Sequence, residues 1–245
     1  MELVSLGVGD AFTARYWSTC AVVEAGGRRL LIDCPHPIRR VLAGAGLDVG
    51  DLDAVVITHN HADHVSGLEG LLFFAWFVLR RKLTLVAHPE VLEDLWNGHL
   101  RAGMCRLLDP VTHRSHEHVL TDYAELVELD EQGAASVGPF GLRCRRTVHH
   151  VPTFALRIEA EGTSLGWSAD TAFDPSLIAW LAKADRVVHE TNLGAHTPYE
   201  KLASLPEDLR RKMWLVHYTD QFDTTSSVIE PLREGQRYVI DARFG

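Results

Sequence analysis

No paired-cysteine pattern occurs in the sequence. Its four cysteines, Cys20, Cys34, Cys105 and Cys144, are scattered, and none of them belongs to a C-x-x-C motif. This spacing excludes a zinc knuckle and indicates no disulfide framework of the kind that stabilises small secreted domains. We therefore expect a protein of a reducing compartment, the cytoplasm.

Long apolar runs are also lacking. The most hydrophobic segment, residues 71–79, is shorter than the roughly 20 residues of a membrane-spanning helix, and three basic residues follow it. The N-terminus has no basic stretch before a long apolar one, so we expect no signal peptide. We predict no membrane association and a buried helix over residues 71–79. A dimer contact or a pocket wall is the alternative role for its aromatic side chains.

Positive charge is in the minority. Lys and Arg number 24 against 33 Asp and Glu, which gives a formal net charge of −9. A protein that wraps a polyanionic nucleic acid needs many Lys and Arg contacts, so no large nucleic acid is expected as a partner.

No Pro-, Gly- or Ser-rich linker divides the 245 residues, of which 46% are hydrophobic. One domain over residues 1–245 is the prediction.

Histidine, in contrast, is abundant, and four potential metal ligands stand together in the segment T-H-N-H-A-D-H. This segment follows the β-branched run A-V-V-I, which predicts a buried strand that ends where the polar residues begin. Imidazole and carboxylate suit zinc, manganese or iron. We expect His59 and His61 to face one ion, and Asp63 and His64, at the start of the next helix, to face a second.

This segment resembles the signature loop of the metallo-β-lactamase superfamily. Segments further along the chain resemble its phosphodiesterase branch, which contains tRNA 3′-end processing endonucleases and bacterial cyclic-nucleotide phosphodiesterases. The resemblance implies an α/β fold in a four-layer αββα sandwich, a dinuclear metal site and hydrolytic activity. It covers nearly the whole chain, and the middle segment matches least.

The remaining metal ligands follow from this resemblance. His149, before a V-P-T-F turn, takes the place of the third ligand of the first metal, with the adjacent His150 as the alternative. Asp170, in an S-A-D-T turn similar to the family's S-G-D-T, would bridge both ions or else cap the helix that follows. His217 ends a strand and resembles the last ligand of the second metal. The expected cofactors are two divalent ions, zinc with manganese as the alternative, one held by His59, His61 and His149 and the other by Asp63, His64 and His217.

A catalytic pair is implied in the same way. His189-Glu190 is similar to the H-E-A-T segment of the phosphodiesterases, where the histidine protonates the leaving alkoxide and the glutamate orients it. A strand-end ion pair is the alternative. The hydroxide that attacks phosphorus would be shared by the two metal ions, with Asp63 beside it. Asp33, which closes an earlier strand, is expected either to support the metal loop or to serve as a turn residue.

The sequence therefore predicts a hydrolase of a small phosphodiester, a cyclic nucleotide first of all. A tRNA processing enzyme would carry a basic, glycine-rich arm, which this sequence lacks. Lactone and thioester hydrolases share the metal ligands but leave the His189-Glu190 pair without a role. A non-catalytic metal or nucleotide binder is the alternative from another class, and a homodimer is an expectation from the family.

The order of elements completes the predictions. Alternating residues up to position 33 predict a meander of strands, and from Ile38 onward helices alternate with strands, which favours parallel pairing there. A helix is expected over residues 65–77. Residues 98–122, which contain His113, His116 and His118, are expected to form a solvated loop or lid, with a second metal site at the three histidines as the alternative.

Overall fold

The computed structural model describes residues 1–242. Within them, the strands are β1 Glu2–Gly7, β2 Cys20–Ala25, β3 Arg28–Ile32, β4 Ala54–Val56, β5 Leu83–Ala87, β6 Arg106–Leu108, β7 Ser115–Glu117, β8 Ala124–Glu128, β9 Ala135–Val137, β10 Phe140–Arg146, β11 Phe154–Ala160, β12 Thr163–Trp167, β13 Arg186–Glu190, β14 Met213–Val216, β15 Glu230–Pro231 and β16 Arg237–Val239. The helices are α1 Ile38–Gly44, α2 Ala62–Val65, α3 Leu68–Phe74, α4 Pro89–Asp94, α5 Arg101–Met104, α6 Leu120–Tyr123, α7 Pro175–Leu181, α8 Tyr199–Ala203 and α9 Glu207–Arg210.

The first large sheet has the strand order β16-β1-β2-β3-β4-β5-β8. Strands β1, β2 and β3 form the predicted antiparallel meander. Strands β3, β4, β5 and β8 pair in parallel, as the alternation of helix and strand predicts. The carboxyl end of β4 is thus directed towards the same edge as those of β3 and β5, and the T-H-N-H-A-D-H segment begins at that edge.

The second large sheet has the order β15-β14-β13-β12-β11-β10-β9. Strands β9 to β12 are antiparallel, whereas β12, β13, β14 and β15 pair in parallel. Parallel strands end at one edge, so Asp170, Glu190 and His217, which lie at or just beyond the ends of β12, β13 and β14, meet there.

Each large sheet contains an interior strand that is buried along its whole length. Strand β4 is buried at each of its three residues and β14 at each of its four. Complete burial requires cover on both faces of a sheet, one from the other sheet and one from helices. The buried apolar residues of the described chain also form one cluster that contains strands of both sheets. The predicted α/β, four-layer αββα architecture is confirmed.

The predicted helix over residues 65–77 is present and has one interruption near its start. Helices α2 and α3 are separate, with Ser66 and Gly67 between them. A Cβ at Gly67 would lie 2.6 Å from the backbone oxygen of Pro35, so the close approach of these two segments requires glycine. The helix break therefore fixes where α2 sits against the loop that follows β3.

The apolar run within this region is half buried. Leu71 and Leu72 are fully buried, as expected of a core helix, whereas Phe77 and Val78 are exposed. By length and composition alone, the helical stretch Ala62–Leu79 could cross a membrane. Because α2 contributes a buried histidine to the candidate site and α3 packs into the core, we assign the stretch to the core of the protein.

The middle segment contains a small sheet that the sequence does not predict. Strands β6 and β7 pair antiparallel. His113 and His116 are exposed, and His118 lies against Asp122, with its Nδ1 3.2 Å from a carboxylate oxygen. Within residues 1–242, none of the three histidines belongs to a group of potential metal ligands.

Candidate active site

The loop after β4 is held in place by a buried carboxylate. Asp33, which is fully buried, accepts hydrogen bonds from the Thr58 backbone N–H at 2.8 Å and from the Thr58 hydroxyl. Its other oxygen lies 2.8 Å from Nδ1 of His64. One side chain thus joins the start of the loop to helix α2 and fixes the ring orientation of His64. Asp33 supports the loop, as expected.

The first group of potential ligands brings three histidines and one aspartate together. Nε2 of His59 lies 3.2 Å from Nδ1 of His61, and Nε2 of His149 lies 3.3 Å from the same atom. Oδ2 of Asp170 is 3.6 Å from Nε2 of His59 and 3.9 Å from Nε2 of His149. The four ligand atoms all lie within 4.8 Å of one another.

The second group shares Asp170 with the first. Oδ2 of Asp63 lies 3.3 Å from Nε2 of His64 and 3.2 Å from Nε2 of His217. Oδ1 of Asp170 is 3.5 Å from Nε2 of His64, and its Oδ2 is 3.6 Å from Nε2 of His217. Asp170 therefore lies between the two groups, with Oδ1 towards His64 and Oδ2 towards both His217 and the first group.

The turn that presents Asp170 departs from the family pattern at one residue. Ala169 stands where the family has glycine, and its φ is +50°, in the left-handed region that favours glycine. The backbone keeps this conformation despite the added methyl group. The carboxylate of Asp170 consequently keeps its place between the two groups.

These distances fit a metal cluster. Four ligands about 2.0–2.1 Å from a tetrahedral zinc ion lie roughly 3.3 Å from one another. Four of the separations within the first group are 3.2–3.9 Å, close to that value. Nitrogen with carboxylate oxygen is also a donor set that suits divalent ions. The cluster is therefore suited to a divalent metal ion.

The protonation states of the first group agree with this donor set. Burial lowers the pKa of His149 to about 4 and holds that of His59 well below its ordinary value. Burial alone would raise the pKa of Asp170, but the neighbouring His217 and His64 hold it below the usual range. Neutral imidazoles and an ionised carboxylate are the forms that bind metals. In the second group, burial would lower the pKa values of His64 and His217, but the neighbouring carboxylates raise them, so a metal ion there would have to displace a proton from each ring.

The structure separates the two histidines of the adjacent pair. His149 lies within the first group, whereas His150 is exposed and lines the mouth of the cavity beside the site. The ring centroids of His150 and His61 are 4.5 Å apart. The structure thus places His149 at the expected ligand position and His150 above it.

His189 does not face the cavity. It is fully buried, and its Nδ1 donates a hydrogen bond to the backbone oxygen of Glu190 at 2.7 Å. Burial lowers its pKa to about 4, so the ring is neutral near pH 7. His189 is therefore a buried strand residue with no access to a substrate in this arrangement.

A different histidine, His196, which no motif in the sequence predicts, is half-buried and lines the cavity. Nδ1 of His196 donates to Oε1 of Glu190 at 2.9 Å, and the ring lines the cavity next to His217. Burial alone would lower the pKa of His196, but the hydrogen bond and charge of Glu190 raise it above the ordinary value. The sequence offers little signal for this pair, because His196 is a lone loop residue six positions after Glu190.

The cavity beside the cluster has a volume of about 750 Å³. Loops from both sheets line it, and its wall includes Asp10, Phe12, His61, Asp170, Leu193 and His196. Cavities of this volume accept small molecules. The cluster lies against the cavity, so a small substrate in it would contact the bound metal.

Comparison with known structures agrees with the fold. YhfI from Bacillus subtilis, a metallo-β-lactamase fold protein, superposes with a TM-score of 0.74 over 97% of this chain and 98% of its own, at 18% sequence identity. The fold and the His/Asp cluster together define a metal-dependent hydrolase with the metallo-β-lactamase fold. This confirms the resemblance found in the sequence.

Sequence comparison identifies the family. The family model described as anti-Pycsar protein Apyc1 matches residues 1–238. The anti-Pycsar protein Apyc1 of Bacillus phage 010DV004 is 32% identical, with 98% of each chain covered, and that of Paenibacillus sp. (strain J14) is 34% identical, with 91% of each covered. The chain belongs to the anti-Pycsar protein Apyc1 family.

Proposed function

We propose that the protein is a dinuclear metal-dependent phosphodiesterase that hydrolyses a small phosphodiester, most specifically a cyclic nucleotide. The observation that carries the proposal is the position of Asp170 between two groups of ligand atoms beside an open cavity. A shared carboxylate is what a two-metal site for phosphoester hydrolysis requires.

Two divalent ions, zinc with manganese as the alternative, would occupy these groups. His59, His61 and His149 would hold one ion, Asp63, His64 and His217 the other, and Asp170 would contact both. When bound, the ions would lower the pKa of a water molecule and offset the negative charge of the phosphodiester.

Asp63 is proposed to orient the attacking water. Its carboxylate lines the cavity, and neighbouring His64 and His217 hold its pKa below the usual range although burial opposes this. The group is therefore ionised and able to accept a hydrogen bond from water near neutral pH.

His196, rather than His189, is proposed as the proton donor to the leaving oxygen. An alkoxide leaves poorly, so a protonated group near it accelerates the reaction. His196 lines the cavity and its pKa is raised, whereas His189 is buried and neutral. Glu190, which the sequence pairs with His189, is proposed to orient His196 instead, through the hydrogen bond between them.

The charge of the cavity wall favours a small substrate. Apart from the proposed metal ligands, the wall residues, all within the described part of the chain, include Asp10 and Asp220 but no lysine or arginine. A chain of phosphates would meet repulsion there, whereas a single phosphodiester can lie against the metal site. This favours a cyclic nucleotide over tRNA, and the anti-Pycsar name of the relatives agrees with a small cyclic nucleotide.

The class of reaction is tested by supplying three kinds of substrate. The protein, loaded with Zn²⁺ or Mn²⁺, is given bis(p-nitrophenyl) phosphate, a simple lactone and a thioester, with Asp170→Ala as the control. We expect metal-dependent hydrolysis of the phosphodiester that is lost in the control. Hydrolysis of only the lactone or thioester would contradict the proposal and place the protein among the acyl hydrolases of the same fold.

A further inference from the structure

Two large apolar side chains stand exposed on the wall of the cavity. Phe12 is 92% exposed and Leu193 is 75% exposed, and both line the cavity beside the metal-ligand cluster. An aromatic ring that is exposed to water lacks the stabilisation that burial of its apolar surface would give. Exposed apolar groups at a binding cavity mark a surface that a ligand covers.

The loop that carries Phe12 is held by two carboxylates. Asp10 accepts a hydrogen bond from the backbone N–H of Phe12 at 3.1 Å. Asp220 accepts from the Thr13 hydroxyl at 2.5 Å and from the backbone N–H groups of Ala14 at 2.9 Å and Arg15 at 3.3 Å. The backbone on both sides of Phe12 is therefore anchored, which holds the exposed ring at a fixed place on the cavity wall.

The loop that carries Leu193 is tied to the first one. Nδ2 of Asn192 donates to Oδ2 of Asp10 at 3.1 Å, and Oδ1 of Asn192 accepts from the backbone N–H of Leu193 at 2.7 Å. The backbone N–H of Asn192 also donates to the oxygen of Thr197 at 3.1 Å. The hydrogen bond between Asp10 and Asn192 thus links the loop of Phe12 to the loop of Leu193. The second loop also carries His196, the proposed proton donor, one residue before Thr197.

We propose that Phe12 and Leu193 form the contact surface for the nucleobase of the substrate. The planar base packs against the Phe12 ring and the Leu193 side chain while the phosphodiester lies at the metal-ligand cluster. This inference rests on the proposed function, because it assigns the base of a cyclic nucleotide to that same cavity. Stacking on one aromatic side chain changes affinity by about 5- to 150-fold.

Steady-state kinetics separate contact with the base from the chemistry of the phosphodiester. Wild type, Phe12→Ala, Leu193→Ala and Phe12→Trp are compared on adenosine and cytidine 3′,5′-cyclic phosphates and on methyl riboside 3′,5′-cyclic phosphate, which has no base. Val111→Ala is the matched control, because Val111 is 85% exposed but does not line the cavity. The substituted side chains are exposed, so the variants are expected to fold.

We expect Phe12→Ala to raise KM for both cyclic nucleotides about tenfold with kcat changed less than threefold. Leu193→Ala should raise KM by a smaller factor, and Phe12→Trp and Val111→Ala should resemble wild type. None of the variants should alter kcat/KM for the base-free substrate. An unchanged KM in Phe12→Ala, or an equal loss on the base-free substrate, would overturn the proposal.

A binding measurement keeps this inference separate from the proposed function. Fluorescence of 2-aminopurine riboside, a free nucleoside without phosphate, is followed as protein is added. Quenching by wild type that is lost in Phe12→Ala supports the contact surface even if no phosphodiester is hydrolysed. Equal quenching by both proteins, or none by wild type, would overturn it.

Discussion

Nδ1 of His196 donates a hydrogen bond to Oε1 of Glu190 at 2.9 Å, although the two residues belong to a loop and to the end of strand β13. If His196 protonates the leaving oxygen, His196→Ala should lower turnover of a cyclic nucleotide by about 10²- to 10⁴-fold. Turnover of bis(p-nitrophenyl) phosphate should fall far less, since p-nitrophenolate leaves without a proton. The ratio of the two rates measures the effect.

His189→Ala is the contrasting variant. His189 is buried and lies outside the cavity wall, so its replacement should lower stability but leave the ratio of the two turnover rates near that of wild type. Rates are expressed per folded molecule after thermal unfolding of each variant has been measured. If His189→Ala selectively lost turnover of the cyclic nucleotide while His196→Ala kept it, His189 would be the proton donor instead.

The Asp33 carboxylate should control metal affinity without touching the metal. Asp33→Asn removes the charge that accepts from Thr58 and faces His64, so Zn²⁺ affinity should fall about 10- to 100-fold. Competition with a chromophoric chelator measures the affinity. Asp48→Asn, at an exposed turn where Asp48 caps residues Val49–Asp51, is the matched control and should bind Zn²⁺ like wild type. Equal affinity in both variants would contradict the role of Asp33.

Two glycines in the same region should respond oppositely to alanine. Gly67→Ala places a methyl group 2.6 Å from the Pro35 backbone oxygen and should lower the free energy of unfolding by about 1–3 kcal/mol. At Gly70, inside α3, a methyl group meets no described atom within 4 Å, so Gly70→Ala should raise it by about 0.5–1 kcal/mol. Urea unfolding measures both. If only Gly70→Ala lowered the free energy of unfolding, the helix break would not lie at Gly67.

Thiol chemistry tests the burial of the cysteines. Burial raises the pKa of the Cys144 thiol to about 12 and holds those of Cys20 and Cys34 above the ordinary range. These thiols are therefore protonated at pH 8 and shielded, so Ellman's reagent should react at most with the partly exposed Cys105 in the native protein. All four should react in denaturant. Rapid native reaction of two or more thiols would contradict this packing.

The sequence predicts the ligand side of the site well because each ligand stands at or just beyond the end of a buried strand. The end of a buried strand can be recognised in the sequence where a β-branched run stops, and parallel pairing brings such ends to the same edge of the sheet. The resemblance to the family assigns Asp170 and His217 as ligands, and the parallel pairing of β12, β13 and β14 explains why they meet although they are 47 positions apart in the chain.

The remaining features depend on contacts between distant segments. The break at Gly67 arises from the backbone of Pro35, and the pairing of β6 with β7 joins short strands without a clear apolar alternation. The Glu190–His196 pair depends on the path of a loop, which is set by bonds such as Thr197 Oγ1 to the Thr171 oxygen at 2.9 Å. Local sequence patterns contain none of these contacts.

The most direct test of the central claim is the rate of cyclic-nucleotide hydrolysis measured as Zn²⁺ is added to protein stripped by a chelator. The account predicts no turnover without metal, a rise that levels off at two ions per chain, and no turnover in Asp170→Ala at any metal concentration. Turnover that survives chelation, or two bound ions with no hydrolysis of any cyclic nucleotide, would contradict it.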